Sequence, residues 1–264
     1  MAKINYDDIE YHEEIGHGQF GPVNRVTLRT NLTGCTQALA KSVFNLHKDE
    51  ITTLSKLKHR NLVKVLGLCH NEPLDVILLE FPSNVSVLEY LSDESKPLSS
   101  GLMKRWAIES ALAIRYLHRH NILHRGIEPR NCLLFKDNLL KLSEIGLVRN
   151  MDNSTVVSNQ KITFRYVAPE IHKENDKGRD VYSKQAEIYA YGMLLLQICT
   201  RKQPFDGMSC AQVVFGVENG ILQPTIPTNC PQRLSMVMRC CWKYDPNERP
   251  SIGYIMSGKT SDCI

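Results

Sequence analysis

The chain has 264 residues, 42% of them hydrophobic, and a formal net charge of +4. That is enough apolar material to bury a full core, as one large domain or as two closely apposed lobes. The basic residues are scattered and form no run, which argues against a nucleic-acid-binding protein.

A short basic cluster, Arg115, His118, Arg119 and His120, reads as a solvated helix end with cations at the negative pole of the dipole. The nine cysteines are irregularly spaced and include no C-x-x-C pair. They suit neither a disulfide framework nor a zinc knuckle and predict a reducing, cytoplasmic location. The opening residues, Met1 to Asn5, carry no signal-peptide pattern. The most apolar stretch, Ile188 to Ile198, is too short to span a bilayer and contains Gln197, so no membrane segment is expected. In such a compartment the Asn-x-Ser/Thr matches at Asn31, Asn84 and Asn153 are chance occurrences.

Residues 9 to 82 read mainly as short strands with one helix. Ile9 to Ile15, Val23 to Leu28 and Ala38 to Val43 are runs punctuated by Gly and Asn, as in an antiparallel sheet. His47 to Leu57 carries Ile51, Leu54 and Leu57 at three-residue steps, one face of a short helix. Val63 to Leu68 and Val76 to Phe81 are continuous apolar runs that fit buried strands. Pro82-Ser83-Asn84 breaks the pattern, and the chain then turns helical. Met103, Ala107, Ala111 and Ile114 mark one face of a helix entered at Ser99-Ser100. Residues 183 to 200 are apolar almost all round and predict a central buried helix. Pro231 to Trp242 and Pro250 to Met256 predict two more helices with Pro near the first turn.

Gly16-His17-Gly18-Gln19-Phe20-Gly21-Pro22-Val23 is a G-x-G-x-x-G-x-V run, whose glycines let backbone N–H groups approach phosphate oxygens. Alone it reads as an ordinary hairpin. The ordered series of motifs downstream of it resembles the protein kinase signature set. Ala38-Leu39-Ala40-Lys41 resembles the strand bearing the phosphate-pairing lysine, and Glu50 the helix glutamate that pairs with it. His124 to Asn131 is similar to the catalytic loop, with Asn131 at a metal-ligand position. Glu144-Ile145-Gly146 stands where the metal-binding Asp-Phe-Gly is usual, and Ala168-Pro169-Glu170 closes the activation segment. Arg249 resembles the buried arginine that pairs with Glu170.

The resemblance covers residues 9 to 258 and implies an α+β, bilobal protein-kinase fold: a β-rich small lobe over 9 to 82 and a mostly helical large lobe over 83 to 258. Cys241-Trp242 … Arg249-Pro250, Gly207-Met208-Ser209 and Asn131-Cys132-Leu133-Leu134 resemble the tyrosine kinase and tyrosine-kinase-like groups. Pro224-Thr225-Ile226-Pro227 leans toward the tyrosine-kinase-like serine/threonine side, and both affiliations stay open.

The departures fall on the chemistry. Gly126 stands where the family has the aspartate that accepts the substrate hydroxyl proton, and losing a positioned base costs about 10²–10⁴ in rate. Glu128, where serine/threonine kinases have a phosphate-contacting lysine, reads as an exposed loop charge. Glu144 is a competent oxygen ligand for Mg²⁺, but its extra carbon displaces the carboxylate by roughly 1.5 Å. A misplacement of about 1 Å can cost 10²-fold.

The nucleotide site implied by the resemblance comprises Gly16, Gly18, Gly21, Val23, Leu39, Lys41, Glu50, Glu80, Pro82 and Leu133, with Asn131 and Glu144 for metal. Leu39 replaces a small alanine, and overpacking a fitted site costs about 1–3 kcal/mol. With Leu79 as gatekeeper, Pro82 falls where a backbone N–H meets adenine, and the missing hydrogen bond costs about 0.5–1.5 kcal/mol. Binding of ATP with Mg²⁺ or Mn²⁺ is therefore expected to be weaker by roughly 10- to 10³-fold, or absent.

Glu187 replaces the aspartate that opens the later helix, as a carboxylate still able to bond the catalytic-loop backbone after a small shift. Leu54, Val65, Ile145 and His124 occupy the apolar spine of the two lobes. Ser154, Thr155, Ser158 and Thr163 lie in the activation segment, where Arg125 can receive a phosphate in the family; a polar, mobile loop explains them equally well. Nine positions separate Lys41 from Glu50, shorter than most kinases by more than one turn of 3.6 residues, which predicts a locked Lys41–Glu50 pair. The expected function is a pseudokinase, a scaffold or allosteric module for a protein partner such as another kinase. The alternative is a low-activity, ATP-dependent Ser/Thr or Tyr kinase using Glu144 for metal.

Overall fold

The computed structural model describes residues 2–18, 21–30, 34–43, 53, 56–71, 74–143, 149–150, 164–175 and 182–258. The chain divides into two compact units, Met1–Ser83 and Asn84–Ile264.

The first unit is a six-stranded sheet in the order β1-β5-β6-β4-β3-β2. Its strands are β1 (Ala2–Lys3), β2 (Ile9–Gly18), β3 (Gly21–Thr30), β4 (Gly34–Val43), β5 (Val65–Asn71) and β6 (Leu74–Glu80). All neighbours are antiparallel except β1 with β5. Alternation along β4 sorts its residues to two faces. Ala38 and Ala40 turn to one face, where they are buried with Val26, Leu28, Val76 and Leu78. The opposite face carries Leu39 and Lys41, whose ladder partners are Leu79 and Ile77 on β6 and Arg25 and Val23 on β3. β5 begins at Val65, two residues later than its apolar run, although Leu62 and Val63 are themselves buried. Of the helix expected over 47 to 57, only Thr53, Lys56 and Leu57 belong to the described residues.

The second unit is mainly helical: α1 (Val87–Ser92), α2 (Ser100–Arg119), α3 (Pro169–Asn175), α4 (Lys184–Thr200), α5 (Cys210–Glu218), α6 (Gln232–Cys241) and α7 (Ile252–Met256). The strands β7 (Ile122–Leu123) and β10 (Arg149–Asn150) pair with each other, as do β8 (Cys132–Phe135) and β9 (Leu139–Leu142). The Ser99 hydroxyl caps α2 by accepting from Leu102 N at 3.1 Å. α4 is buried from Ala186 to Ile198 with no polar face, as an apolar-all-round helix must be. The Tyr191 hydroxyl ties it to α2 by donating to the Ala107 carbonyl at 2.9 Å. Gly192 permits the approach of the chain after α6, because a Cβ there would lie 2.6 Å from Trp242 Nε1 and 2.7 Å from Cys241 Cβ. No helix among the described residues is long and apolar enough to cross a membrane.

Two short helices are marked by their caps. Ser86 and Glu89 form a capping box on α1, and Ser209 and Gln212 form one on α5.

Candidate nucleotide and catalytic site

In the first unit the glycine-rich hairpin is in register, with Gly16 opposite Val23, His17 opposite Pro22 and Gly18 opposite Gly21. Gly21 has φ +134, a backbone setting that only glycine adopts readily. Two strands along, Lys41 is buried and lies opposite Val23, so the lysine and the hairpin valine share one face. Leu39 is on that same face, 4% exposed, with Leu79 directly across the ladder. A branched four-carbon side chain thus stands one pleat repeat from the lysine, at the position where overpacking is expected.

At the end of β6, Glu80 N donates to Lys64 O at 2.9 Å, and its Oε1 accepts from Lys64 N at 2.8 Å. The Glu80 carboxylate therefore serves to finish the sheet. Pro82, without an N–H, is buried. Glu50, with Leu54, lies outside the described residues, and so does the expected Lys41–Glu50 pair.

In the second unit the catalytic-loop backbone is held from three sides. Glu187, wholly buried at the start of α4, accepts from Arg125 N through Oε1 at 2.6 Å. Its Oε2 bonds His118 Nε2 at 2.7 Å. Arg125 has φ +60, a setting that costs on the order of 1–3 kcal/mol unless its surroundings enforce it. The Glu187 bond on its N–H does so, together with its guanidinium lying 5.3 Å from the centre of the Tyr182 ring. Asn131 Nδ2 donates to the Gly126 carbonyl at 2.8 Å, bracing the loop across the residue that lacks a side chain. The Asn131 carbonyl in turn accepts from Ser143 N at 2.8 Å, joining the loop to the end of β9. His124 is buried at 1% exposure, and Leu133 is half-buried on β8 opposite Lys141.

The structure corrects two expectations. Glu128 is buried, not an exposed loop charge. The single turn at Pro129–Asn131 folds it inward, its carbonyl accepting from Asn131 N at 3.0 Å and its Oε1 standing 3.3 Å from Arg130 Nε. Burial, aided by this carboxylate, pushes the Cys132 thiol and the Tyr166 phenol well up. His118 likewise does not belong to a solvated basic cluster: it is buried on Glu187, whereas Arg119 and His120 are exposed.

Beyond the loop, Arg249 grips Glu170 with two bonds, Nη1–Oε1 at 2.6 Å and Nη2–Oε2 at 2.7 Å. It also donates to the Lys243, Tyr244 and Gln185 carbonyls, so α3 is fastened to the start of α4 and to the chain after α6. Arg165 donates to the Pro204 and Met208 carbonyls, and the Tyr166 hydroxyl bonds Gln197 Oε1 on α4. The chain leading into Ala168-Pro169-Glu170 is thereby anchored at both Arg165 and Tyr166. Neither residue carries a motif that marks it in the sequence. Glu144, Ile145, Ser154, Thr155, Ser158 and Thr163 lie outside the described residues.

The arrangement can position a loop, and Gly126, where the resemblance expects the base, has no side chain. Around the loop, among the described residues, the carboxylates of Glu128 and Glu187 are engaged, Glu128 beside Arg130 and Glu187 on Arg125 and His118. No group of three or more His, Cys, Asp or Glu side chains suited to a metal occurs among the described residues. Asn131 spends its amide N–H on Gly126 and keeps an amide oxygen, a hard ligand atom suited to Mg²⁺.

The sequence pattern of the family described as protein tyrosine and serine/threonine kinase matches residues 9–258. The Drosophila melanogaster protein named Tyrosine-protein kinase Btk is 30% identical over 269 residues, covering 97% of this chain and 34% of that protein. Mitogen-activated protein kinase kinase kinase 7 of the same organism is 30% identical over 261 residues, covering 97% of this chain and 37% of that protein. Serine/threonine-protein kinase STY46 of Arabidopsis thaliana is 27% identical over 264 residues, covering 96% of this chain and 44% of that protein. The chain thus spans well under two thirds of the length of these relatives. With the family pattern running through both units, the chain belongs to the protein tyrosine and serine/threonine kinase family.

Proposed function

We propose that this domain is a pseudokinase, acting through binding and conformation, with weak or absent ATP binding and phosphoryl transfer that is absent or very slow. One observation carries the reading: the catalytic-loop backbone is braced at Gly126 by Asn131 and at Arg125 by Glu187, yet position 126 has no side chain. The family generally uses ATP with Mg²⁺ or Mn²⁺. Here Lys41 and the glycine hairpin would meet phosphate oxygens and Asn131 a metal, while nothing at position 126 takes the substrate proton. Leu39 beside Lys41 and the proline at position 82 support weakened nucleotide binding. A retained scaffold with a disabled centre suits a protein partner, another kinase among the candidates, engaged through the first unit.

The second reading, a slow kinase, is favoured by the retained Asn131 and the held loop, with Glu144 as metal ligand. A thermal-shift titration with ATP, with and without Mg²⁺ or Mn²⁺, separates the two. The pseudokinase reading predicts no shift, or one that needs millimolar ATP. A saturating, metal-dependent shift at micromolar ATP would favour the slow kinase.

A further inference from the structure

Residues 2–8 precede the stretch matched by the family, yet they are built into the first unit. β1 lies parallel to β5, Ala2 opposite Gly67 and Lys3 opposite Leu68. Ile4 N then donates to the Leu68 carbonyl at 3.1 Å, and the Ile4 side chain packs against the buried cluster around Val26, Ala40, Cys69 and Leu78. The chain continues through a turn at Tyr6–Asp8, closed by Asp8 N donating to Asn5 O at 3.1 Å, and this turn touches both β3 and β5. The Tyr6 ring lies 5.8 Å from that of Tyr11 on β2. Because β1 and β2 stand at opposite ends of the sheet order, the segment crosses the face that carries Ala38, Ala40 and Cys69.

Without β1, β5 would be an edge strand with its outer N–H and C=O groups open, the kind of edge that invites strand addition. Among the described residues, β1 meets this edge at two ladder positions of a seven-residue strand, and Ile4 is the one apolar side chain of the segment packed behind it. We propose that the outer edge of β5, with the apolar face behind it, is a strand-addition site, and that residues 2–8 of the same chain occupy it as a displaceable strap. The seat takes a peptide that runs extended and parallel to β5 up to an aliphatic residue at the Ile4 position and then turns, placing an aromatic two residues later against Tyr11. This goes beyond the pseudokinase reading and does not depend on it.

Cys69 reports on the strap, being 1% exposed, while Cys35 and Cys210 are exposed and serve as internal references. Ile4→Pro removes both the donor to Leu68 and the packed side chain; Ile4→Val keeps both. In the full chain, Ile4→Pro is expected to raise the alkylation rate of Cys69 about tenfold relative to Cys35, with Ile4→Val unchanged. A synthetic peptide of residues 1–8 added in trans should restore protection. Equal labelling of Cys69 in the parent and in Ile4→Pro, or failure of the peptide to protect, overturns the proposal. If Ile4→Pro unfolds the first unit, the β3 and β4 amides will lose exchange protection as Cys69 labels, and amide exchange in the parent chain decides instead. The Ile4 amide should then exchange more slowly than that of Asn5, and equal rates overturn the strap. A concentration-dependent dimer that protects Cys69 would overturn occupancy by the same chain.

Discussion

Glu187 is the place where a departure from the family pattern can be weighed against geometry. Its carboxylate is wholly buried and holds Arg125 N at 2.6 Å and His118 Nε2 at 2.7 Å. Glu187→Ala strands a half-buried backbone N–H and a buried imidazole together. A hydrogen bond to a charged group contributes about 1.5–3 kcal/mol, and removing one member of a buried pair costs about 3–5 kcal/mol. These overlap, so the expected loss is about 3–5 kcal/mol, or a fall in Tm of roughly 6–20 °C at 2–4 °C per kcal/mol.

Glu187→Asp is the sharper test. Both bonds are already at full-strength length, so a carboxylate shorter by one carbon, roughly 1.5 Å, can keep one partner and not both unless α4 moves. The loss should be intermediate, about 1.5–3 kcal/mol. Urea unfolding followed by tryptophan fluorescence is the suitable assay, because Trp106 and Trp242 both lie in the second unit and report on it alone. An Ala variant within about 1 kcal/mol of the parent, or an Asp variant as stable as the parent, would refute the claim that this carboxylate holds the catalytic loop.

Leu39→Ala should raise ATP affinity by roughly 10-fold or more while lowering the ligand-free melting temperature, since a buried Leu-to-Ala change costs about 2–5 kcal/mol. Isothermal titration calorimetry showing unchanged affinity would remove Leu39 from the nucleotide site. His172 on α3 has a buried Nε2 with no partner, and burial lowers its pKa below the ordinary 6.5. Below pH 6.5 the unfolded chain takes up a proton that the folded one resists, so stability should fall with acidification. His172→Gln should flatten the pH dependence of Tm between pH 7 and the lower folded value, and an unchanged slope would assign it to other groups.

Much of the fold was legible because it is written in short-range pattern. Short runs punctuated by Gly and Asn marked β3 and β4, and the uninterrupted apolar run marked α4. α1 and α5 escaped because each is short; their Ser-x-x-Glu and Ser-x-x-Gln caps were the better signal. β1 escaped because two residues carry no period, and its partner is decided by a distant edge. The burial of Glu128 and His118 was illegible for a related reason. A charged residue looks solvated until its partner is known, and the partner of His118 lies 69 positions away. The site itself was legible as motifs and departures from them. The sequence did not reveal how firmly Asn131 and Glu187 would hold the loop backbone around the missing side chain.

Phosphoryl transfer tests the central claim most directly. Purified protein with ATP and Mg²⁺ or Mn²⁺ should incorporate no more phosphate, into itself or a generic protein substrate, than a Lys41→Met control. Gly126→Asp alone should restore little, because the extra carbon of Glu144 is expected to displace the metal. Robust incorporation by the parent chain that Lys41→Met abolishes would contradict the account and establish a working kinase without the usual base.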